Sequence, residues 1–292
     1  MPAEDARRAG FLDHLKSWAL YPLPHHLLSR LMLALTRLEC PRLVPSAIRL
    51  FSRHFRVNLE EAREPDPAAY SSFNAFFTRD LKPGARPLDD GRDSILSPAD
   101  GTVSQCGAIE AGRLFQAKGR DYSLLELLGG DPDRAAQFEE GSFSTVYLSP
   151  RDYHRVHMPL AGTLRETVYV PGRLFSVAPH TVRTIPRLFA RNERLVCLFD
   201  TDHGPMAVVL VGAIFVACIE TIWTGVATPP HTGRIRVETP PDHVQLARGA
   251  ELGRFNMGST VILLFGKDRA RWEAACGASA AVRMGQRIGS VQ

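Results

Sequence analysis

Two amphipathic stretches lead the chain, and a long series of short apolar runs follows them. Between Leu27 and Leu38, the leucines at 27, 28, 31, 35 and 38 recur at three- and four-residue steps, while Arg30 and Arg37 fall opposite. That period places the leucines along one face of a helix. Residues Ser46 to Arg56 repeat the design, with Ile48, Phe51 and Phe55 on one side and Arg49, Arg53 and Arg56 on the other. Pro41 and Pro45 are expected to separate the two helices. An apolar helical face of this kind either docks on a protein body or lies in a membrane interface. The basic opposite faces suit the second.

Beyond a linker at NLEEAREPDPAAY, with helix-start chemistry at Asn58 and at Asp66-Pro67, Phe73, Phe76 and Phe77 form a patch at helical spacing. After about Ile95 the texture changes to β-forming runs broken by glycine and proline. Strands are predicted at Gly101 to Ile109, Phe143 to Leu148, Gly162 to Val170, Leu195 to Phe199, Met206 to Val211, Ile219 to Thr224, Arg234 to Glu238 and Val261 to Phe265. Only Tyr122 to Leu128 and Arg271 to Cys276 read as helix within this part. The fold class is therefore α+β: N-terminal amphipathic helices, then a mostly antiparallel β sandwich or barrel. Residues 1–60 form the basic helical, membrane-associating region, and 61–292 form the β-rich body.

The longest uncharged stretch, His203 to Ile219, contains Gly204, Pro205 and Gly212 and is short for a membrane-crossing helix. It reads as two buried strands with a break near Gly212. The first dozen residues mix charges of both signs, unlike a secretory signal peptide. Of the net charge of +4, all is carried by residues 1–60, with nine Lys/Arg against five Asp/Glu; residues 61–292 hold 26 of each. No nucleic-acid reader motif accompanies that excess, so an anionic membrane surface is the expected partner and nucleic acid is not. Five cysteines without a Cys-x-x-Cys pair suggest free thiols in a reducing compartment. His154 and His157 lack a third ligand in sequence, so no metal is expected.

The chemistry gathers at Gly258-Ser259-Thr260, between two strand-like runs. A Gly-Ser step before a strand is ordinarily a turn or bulge. A serine becomes a nucleophile when a base takes its proton and a third group orients that base. His157 and Asp100, in Tyr153-His154-Arg155-Val156-His157 and Pro98-Ala99-Asp100-Gly101, supply candidates for both roles. Ser259 lies outside any Gly-x-Ser-x-Gly elbow, which leaves the peptide bond before it as a target. Attack there shifts the acyl group from nitrogen to oxygen. Elimination and loss of ammonia then leave a large chain, 1–258, and a small chain, 259–292, headed by a pyruvoyl group. No dinucleotide or P-loop fingerprint is present, and no lysine context marks a pyridoxal site.

The blocks SPADG at 97–101, YLSPRDYHRVHMP at 147–159, YVPGRLFSV at 169–177, LFARNERLVCLFDT at 188–201 and MGST at 257–260 resemble the bacterial phosphatidylserine decarboxylase precursors, self-cleaving pyruvoyl enzymes. Met257 stands where those proteins usually carry leucine. The resemblance implies that Asp100 orients His157 and that His157 is the base on Ser259 during self-cleavage. It further implies that His154 handles a proton in decarboxylation, and that phosphatidylserine is converted to phosphatidylethanolamine. A homodimer of processed protomers, peripheral on the cytoplasmic face of the cell membrane, is implied as well. Two rival readings share the residues: a serine hydrolase that leaves its chain intact, and a non-catalytic membrane-binding β-domain.

Overall fold

The apolar run before the C-terminal segment forms the middle of the molecule. In the computed structural model, which describes residues 9–215, 218–228, 233–240, 244–257 and 259–292, the strand Thr260–Phe265 is buried at every position. It pairs antiparallel with Gly204–Val211 on one side and Ser142–Tyr147 on the other. Protein covers both faces, so the strand is apolar throughout rather than alternating. Six buried residues, at roughly 1.5–3 kcal/mol for each large apolar side chain, make it a principal source of cohesion.

The sheet around it has nine strands. Its path runs from Arg236–Glu238 through Gly162–Val170, Arg194–Thr201, Gly204–Val211, Thr260–Phe265, Ser142–Tyr147 and Gly101–Ala108 to Ala281–Val282, and Gln245–Leu246 adds to Gly162–Val170. A second sheet joins Gly225–Val226, Ile219–Thr221, Glu251–Phe255 and Arg155–His157. The chain leaves this second sheet at Phe255 and enters the large one at Thr260, so the Gly-Ser step falls in a short crossing between two sheets. Gly258 itself lies outside the described residues. A third sheet sets Arg287–Val291 between Ser94–Leu96 and Ala270–Trp272, which ties the C-terminus back to the segment leading into Asp100.

Helices Phe11–Trp18, His25–Thr36 and Val44–Phe55 precede this body. Pro41 lies between the last two as expected, whereas Pro45 sits in the first turn of Val44–Phe55, where its missing N–H costs nothing. Asn58 caps its own turn by accepting from the Glu60 amide, and Asp66 caps the short 3-10 turn Pro67–Ala69. The phenylalanine patch is core: Phe76 and Phe77 are buried with Val44 and Ile48, and Phe51, Phe73 and Met257 pack against them. The helix Val44–Phe55 is therefore docked.

His25–Thr36 is oriented the other way. Its leucines at 27, 31 and 35 face outward, each more than half exposed, while His25, Ser29 and Thr36 are buried. Polar bonds hold it: Ser29 Oγ accepts from the Phe215 amide, and His26 Nε2 meets the Gly172 carbonyl at 3.0 Å. Phe11–Trp18 follows suit, bonding through Asp13 to Arg183 and through Ser17 to Thr184 while Phe11, Leu12, Leu15 and Trp18 stay exposed.

Several expectations need correction in detail. Arg271 to Cys276 is not a helix; Ala270–Trp272 is a strand paired with Arg287–Val291, and only Ala274–Cys276 makes a 3-10 turn. Pairing with a distant strand overrides the local preference. Tyr122 to Leu128 divides into the end of the strand Arg120–Ser123 and the helical turn Leu124–Leu127, capped by Ser123. Three further short helices, Pro132–Ala136, Pro179–Thr184 and Leu188–Arg191, lie in the body. His203 to Ile219 holds one buried strand, Gly204–Val211, rather than two; the break at Gly212 is as expected, but the next strand, Ile219–Thr221, only begins at the end of the stretch and belongs to the other sheet, and residues 216 and 217 lie outside the described residues.

Candidate active site

Ser259 is fully buried at the entrance to the central strand. Its carbonyl accepts from the Leu148 amide at 2.8 Å, and its hydroxyl finds no partner among the described residues. A buried unpaired hydroxyl costs about 1–3 kcal/mol, so this one asks for an explanation. On the N-terminal side of the step, Asn256 donates through Nδ2 to Glu220 at 2.9 Å and accepts from Asn74 at 2.8 Å. Met257 adopts a φ of 107°, a conformation that costs a non-glycine residue on the order of 1–3 kcal/mol. The Phe76 and Phe77 cluster, against which Met257 packs, and the Asn256 bonds hold that torsion in place.

His157 is brought beside the Asp100 segment by the backbone, its amide bonding the Pro98 carbonyl at 2.8 Å. Its ring makes two hydrogen bonds, Nδ1 to the Gly249 carbonyl at 2.9 Å and Nε2 to the Tyr153 hydroxyl at 3.1 Å. A carbonyl only accepts, so Nδ1 carries the proton. Burial holds the ring's pKa below the ordinary histidine value, so in the neutral ring Nε2 is the basic lone pair and Tyr153 donates to it.

Asp100 is buried and held by Arg86, whose Nε reaches its two oxygens at 2.8 and 3.1 Å, and it accepts from the Met284 amide at 2.9 Å. The same guanidinium reaches Glu61 at 2.7 Å. The structure thus places Asp100 and His157 on adjoining segments, within range of each other's field. Among the described residues it shows no hydrogen bond from Asp100 to His157 or from His157 to Ser259.

His154 is completely buried, with its ring stacked on Phe77 at a centroid distance of 4.0 Å. Neither ring nitrogen reaches hydrogen-bond geometry, although the backbone of Ser149 and Pro150 lies near. Burial, reinforced by the charge of Arg79, pushes its pKa down to about 3, so the ring is neutral near pH 7. Ser259 and His154 thus both carry buried polar atoms without a hydrogen-bond partner among the described residues.

Two cavities adjoin these residues. One, of about 470 Å³, is mostly apolar and lined by Phe51, Phe55, Phe77, Leu148, Phe215 and Met257. The other, of about 440 Å³, is rich in arginine and includes Asp100 and Tyr153 in its wall. Among the described residues no group of three His, Cys, Asp or Glu could hold a metal ion. Tyr153, Arg86, Gly249 and Met284 were not singled out from the sequence. Tyr153 stands four residues before His157 with nothing in the spacing to mark it, and Arg86 is one of many arginines.

The family model described as phosphatidylserine decarboxylase matches residues 73–290, and one described as PSD matches residues 15–56. The chain belongs to the phosphatidylserine decarboxylase family. It is 60% identical over 282 residues to the phosphatidylserine decarboxylase proenzyme of Azotobacter vinelandii, covering 95% of this chain and 98% of the relative. The Stutzerimonas stutzeri proenzyme is 56% identical over 280 residues, covering 95% and 94%. That of Bordetella pertussis is 56% identical over 284 residues, covering 95% of each. These phosphatidylserine decarboxylase relatives are named as proenzymes.

Proposed function

We propose that this chain is a proenzyme that cleaves itself between Gly258 and Ser259 and then decarboxylates phosphatidylserine to phosphatidylethanolamine. The observation that carries the reading is the buried, unpartnered hydroxyl of Ser259 in a chain of this family. In the first stage, His157 turns its Nε2 from Tyr153 to Ser259 and takes the hydroxyl proton. The alkoxide attacks the Gly258 carbonyl carbon, and the peptide nitrogen, protonated from His157, becomes the free amine of an ester. Asp100, fixed by Arg86, sets the field that favours the transient imidazolium. Removal of the Ser259 α-proton expels the carboxylate of residue 258, and hydrolysis of the resulting enamine releases ammonia.

The residues present fit a pyruvoyl group at position 259. Leu148 anchors the adjoining carbonyl, and the position is buried at the mouth of the central strand. Such a group supplies the electron sink that decarboxylation of an amino acid needs. His154, whose ring is neutral near pH 7, moves a proton at the carbon that loses carbon dioxide. After cleavage the small chain remains seated, because Thr260–Phe265 is paired on both edges by strands of the large chain. The deciding experiment is mass spectrometry of the purified protein under denaturing conditions. Two chains, 1–258 and 259–292, the second blocked to Edman chemistry, are expected; a single chain labelled by a fluorophosphonate would favour the hydrolase instead.

The outward leucines of His25–Thr36, together with Phe11, Leu12, Leu15 and Trp18, form the surface by which the enzyme meets the bilayer. The apolar cavity beside Met257 lies between this helical region and the site, and it suits an acyl chain. The contact is peripheral, on the cytoplasmic face; among the described residues no helix is long and apolar enough to cross a membrane. Processed protomers pair as a homodimer. Leu31→Glu combined with Leu35→Glu is expected to reduce sedimentation with anionic vesicles at least tenfold while leaving self-cleavage complete. Unchanged vesicle binding with a loss of dimer would assign the leucine face to a second copy.

A further inference from the structure

Most buried arginines in this protein are satisfied by their neighbours. Arg194 donates to the carbonyls of Leu127, Ala190, Asn192 and Glu126 at 2.5–2.8 Å. Arg134 pairs with Glu166, and Arg86 with Asp100 and Glu61. Arg79 differs. It is 5% exposed, yet among the described residues no carboxylate lies within ion-pair distance of its guanidinium, and its Nε has no acceptor. Its Nη2 makes one long bond to the Arg151 carbonyl, 3.4 Å, its carbon lies 5.3 Å from the Phe76 ring, and the charges of Asp100 and Asp152 act on it only from beyond ion-pair distance. A guanidinium has five N–H donors and cannot discharge itself by losing a proton near neutral pH. A buried cation left this incomplete is costly unless an anion completes it.

The surroundings supply room for one. Arg79 lines the cavity of about 440 Å³ with Arg56, Arg86, Arg151 and Arg283, against Glu61, Asp100 and Asp152. Arg86 is already engaged by two of those carboxylates, and Asp152 is tied to Ser149 through both amide and hydroxyl. The cavity therefore keeps an excess of positive charge, and it shares Asp100 and Tyr153 with the active site.

We infer that Arg79 anchors the phosphodiester of the phosphatidylserine headgroup. The inference rests on the decarboxylase reading, and that substrate offers two anions, a carboxylate and a phosphodiester. The carboxylate leaves as neutral carbon dioxide, so a cation clamped on it would stabilise the ground state more than the transition state and slow the reaction. The phosphodiester keeps its charge throughout. A cation on it binds both states equally, and its loss appears in KM rather than in kcat. The planar fork also matches two phosphate oxygens, which a lysine cannot do.

The test uses the processed enzyme in detergent micelles with short-chain phosphatidylserine, following carbon dioxide release, with wild type, Arg79→Met and Arg79→Lys. Completeness of self-cleavage serves as the folding control. Arg79→Met is expected to raise KM on the order of ten- to a hundredfold with kcat within about threefold of wild type. Arg79→Lys should fall between. Glycerophosphoethanolamine, which keeps the phosphodiester without acyl chains, should compete in wild type and lose its effect in Arg79→Met, whereas ethanolamine should not compete in either. An unchanged KM, or a fall in kcat alone, overturns the anchor. Inorganic phosphate competing as well as glycerophosphoethanolamine would assign the site to free phosphate and overturn the headgroup assignment. Failure of both variants to self-cleave would make Arg79 structural and overturn it too. If wild type releases no carbon dioxide, the decarboxylase reading is what fails.

Discussion

Ser259→Ala is expected to yield one uncut polypeptide of 292 residues and 32.3 kDa, with no measurable decarboxylation. The substitution removes the hydroxyl proposed to attack the preceding carbonyl, and with it the proposed source of the ketone. It should do so without disturbing the fold. The hydroxyl makes no hydrogen bond among the described residues, so its loss removes a desolvation cost rather than a contact. Equal stability, or a gain of up to about 1 kcal/mol, is the expectation from denaturant titration. The pairing of Thr260–Phe265 with both neighbours uses backbone groups that alanine leaves in place. A variant still split at this point would remove Ser259 from the reaction. A wild type that stays uncut and releases no carbon dioxide, with the variant indistinguishable from it, would leave Ser259 an inert residue of a binding domain.

The parts of this arrangement that were legible in the sequence are those written in local pattern. The central strand shows as an unbroken apolar run, the second and third helices show in their periodicity, and Ser259 stands out as a small polar step between strands. The direction in which a helix faces is not local. The leucines of His25–Thr36 looked equally ready to dock or to lie outward, and the choice was made by Ser29, bonded to Phe215 far along the chain, and by the burial of His25 and Thr36. A stripe of small polar residues opposite a leucine stripe is a weak signal that the polar side is the docked one. Arg271 to Cys276 failed for the same kind of reason, because its partner strand is Arg287–Val291.

The candidate site divides similarly. Asp100, His154, His157 and Ser259 lie in distinctive blocks and could be named. Their hydrogen bonds could not, since each runs to a residue with no pattern of its own: Arg86 and the Met284 amide for Asp100, Gly249 and Tyr153 for His157. One consequence is visible only in the structure. With cleavage before Ser259, as proposed, Met284 falls in the small chain and Asp100 in the large one, so the acid of the proposed triad is held by a bond across the two products.

His157→Ala should leave the chain uncut on the timescale on which wild type completes its maturation, slowing processing by about 10²- to 10⁴-fold, the usual range for loss of a general base. The pH dependence of wild type gives a sharper reading of the same residue. The active form of a base is the neutral one, and burial holds the pKa of His157 below 6.5. Neutral ring therefore persists as pH falls, and at pH 6.5 the rate of self-cleavage should still exceed half its plateau, falling by a factor approaching ten per unit only below the lowered pKa. Appearance of the 259–292 fragment, followed by quenched gel or mass spectrometry after synthesis in a cell-free system, measures it. A rate already halved at pH 6.5 would contradict a buried base. Tyr153→Phe serves as the control: it removes the donor that occupies Nε2 but leaves Nδ1 on the Gly249 carbonyl, so the ring keeps its tautomer. Cleavage at least as fast as wild type would show that Tyr153 withholds the base from Ser259, whereas arrest would show that the tyrosine positions it.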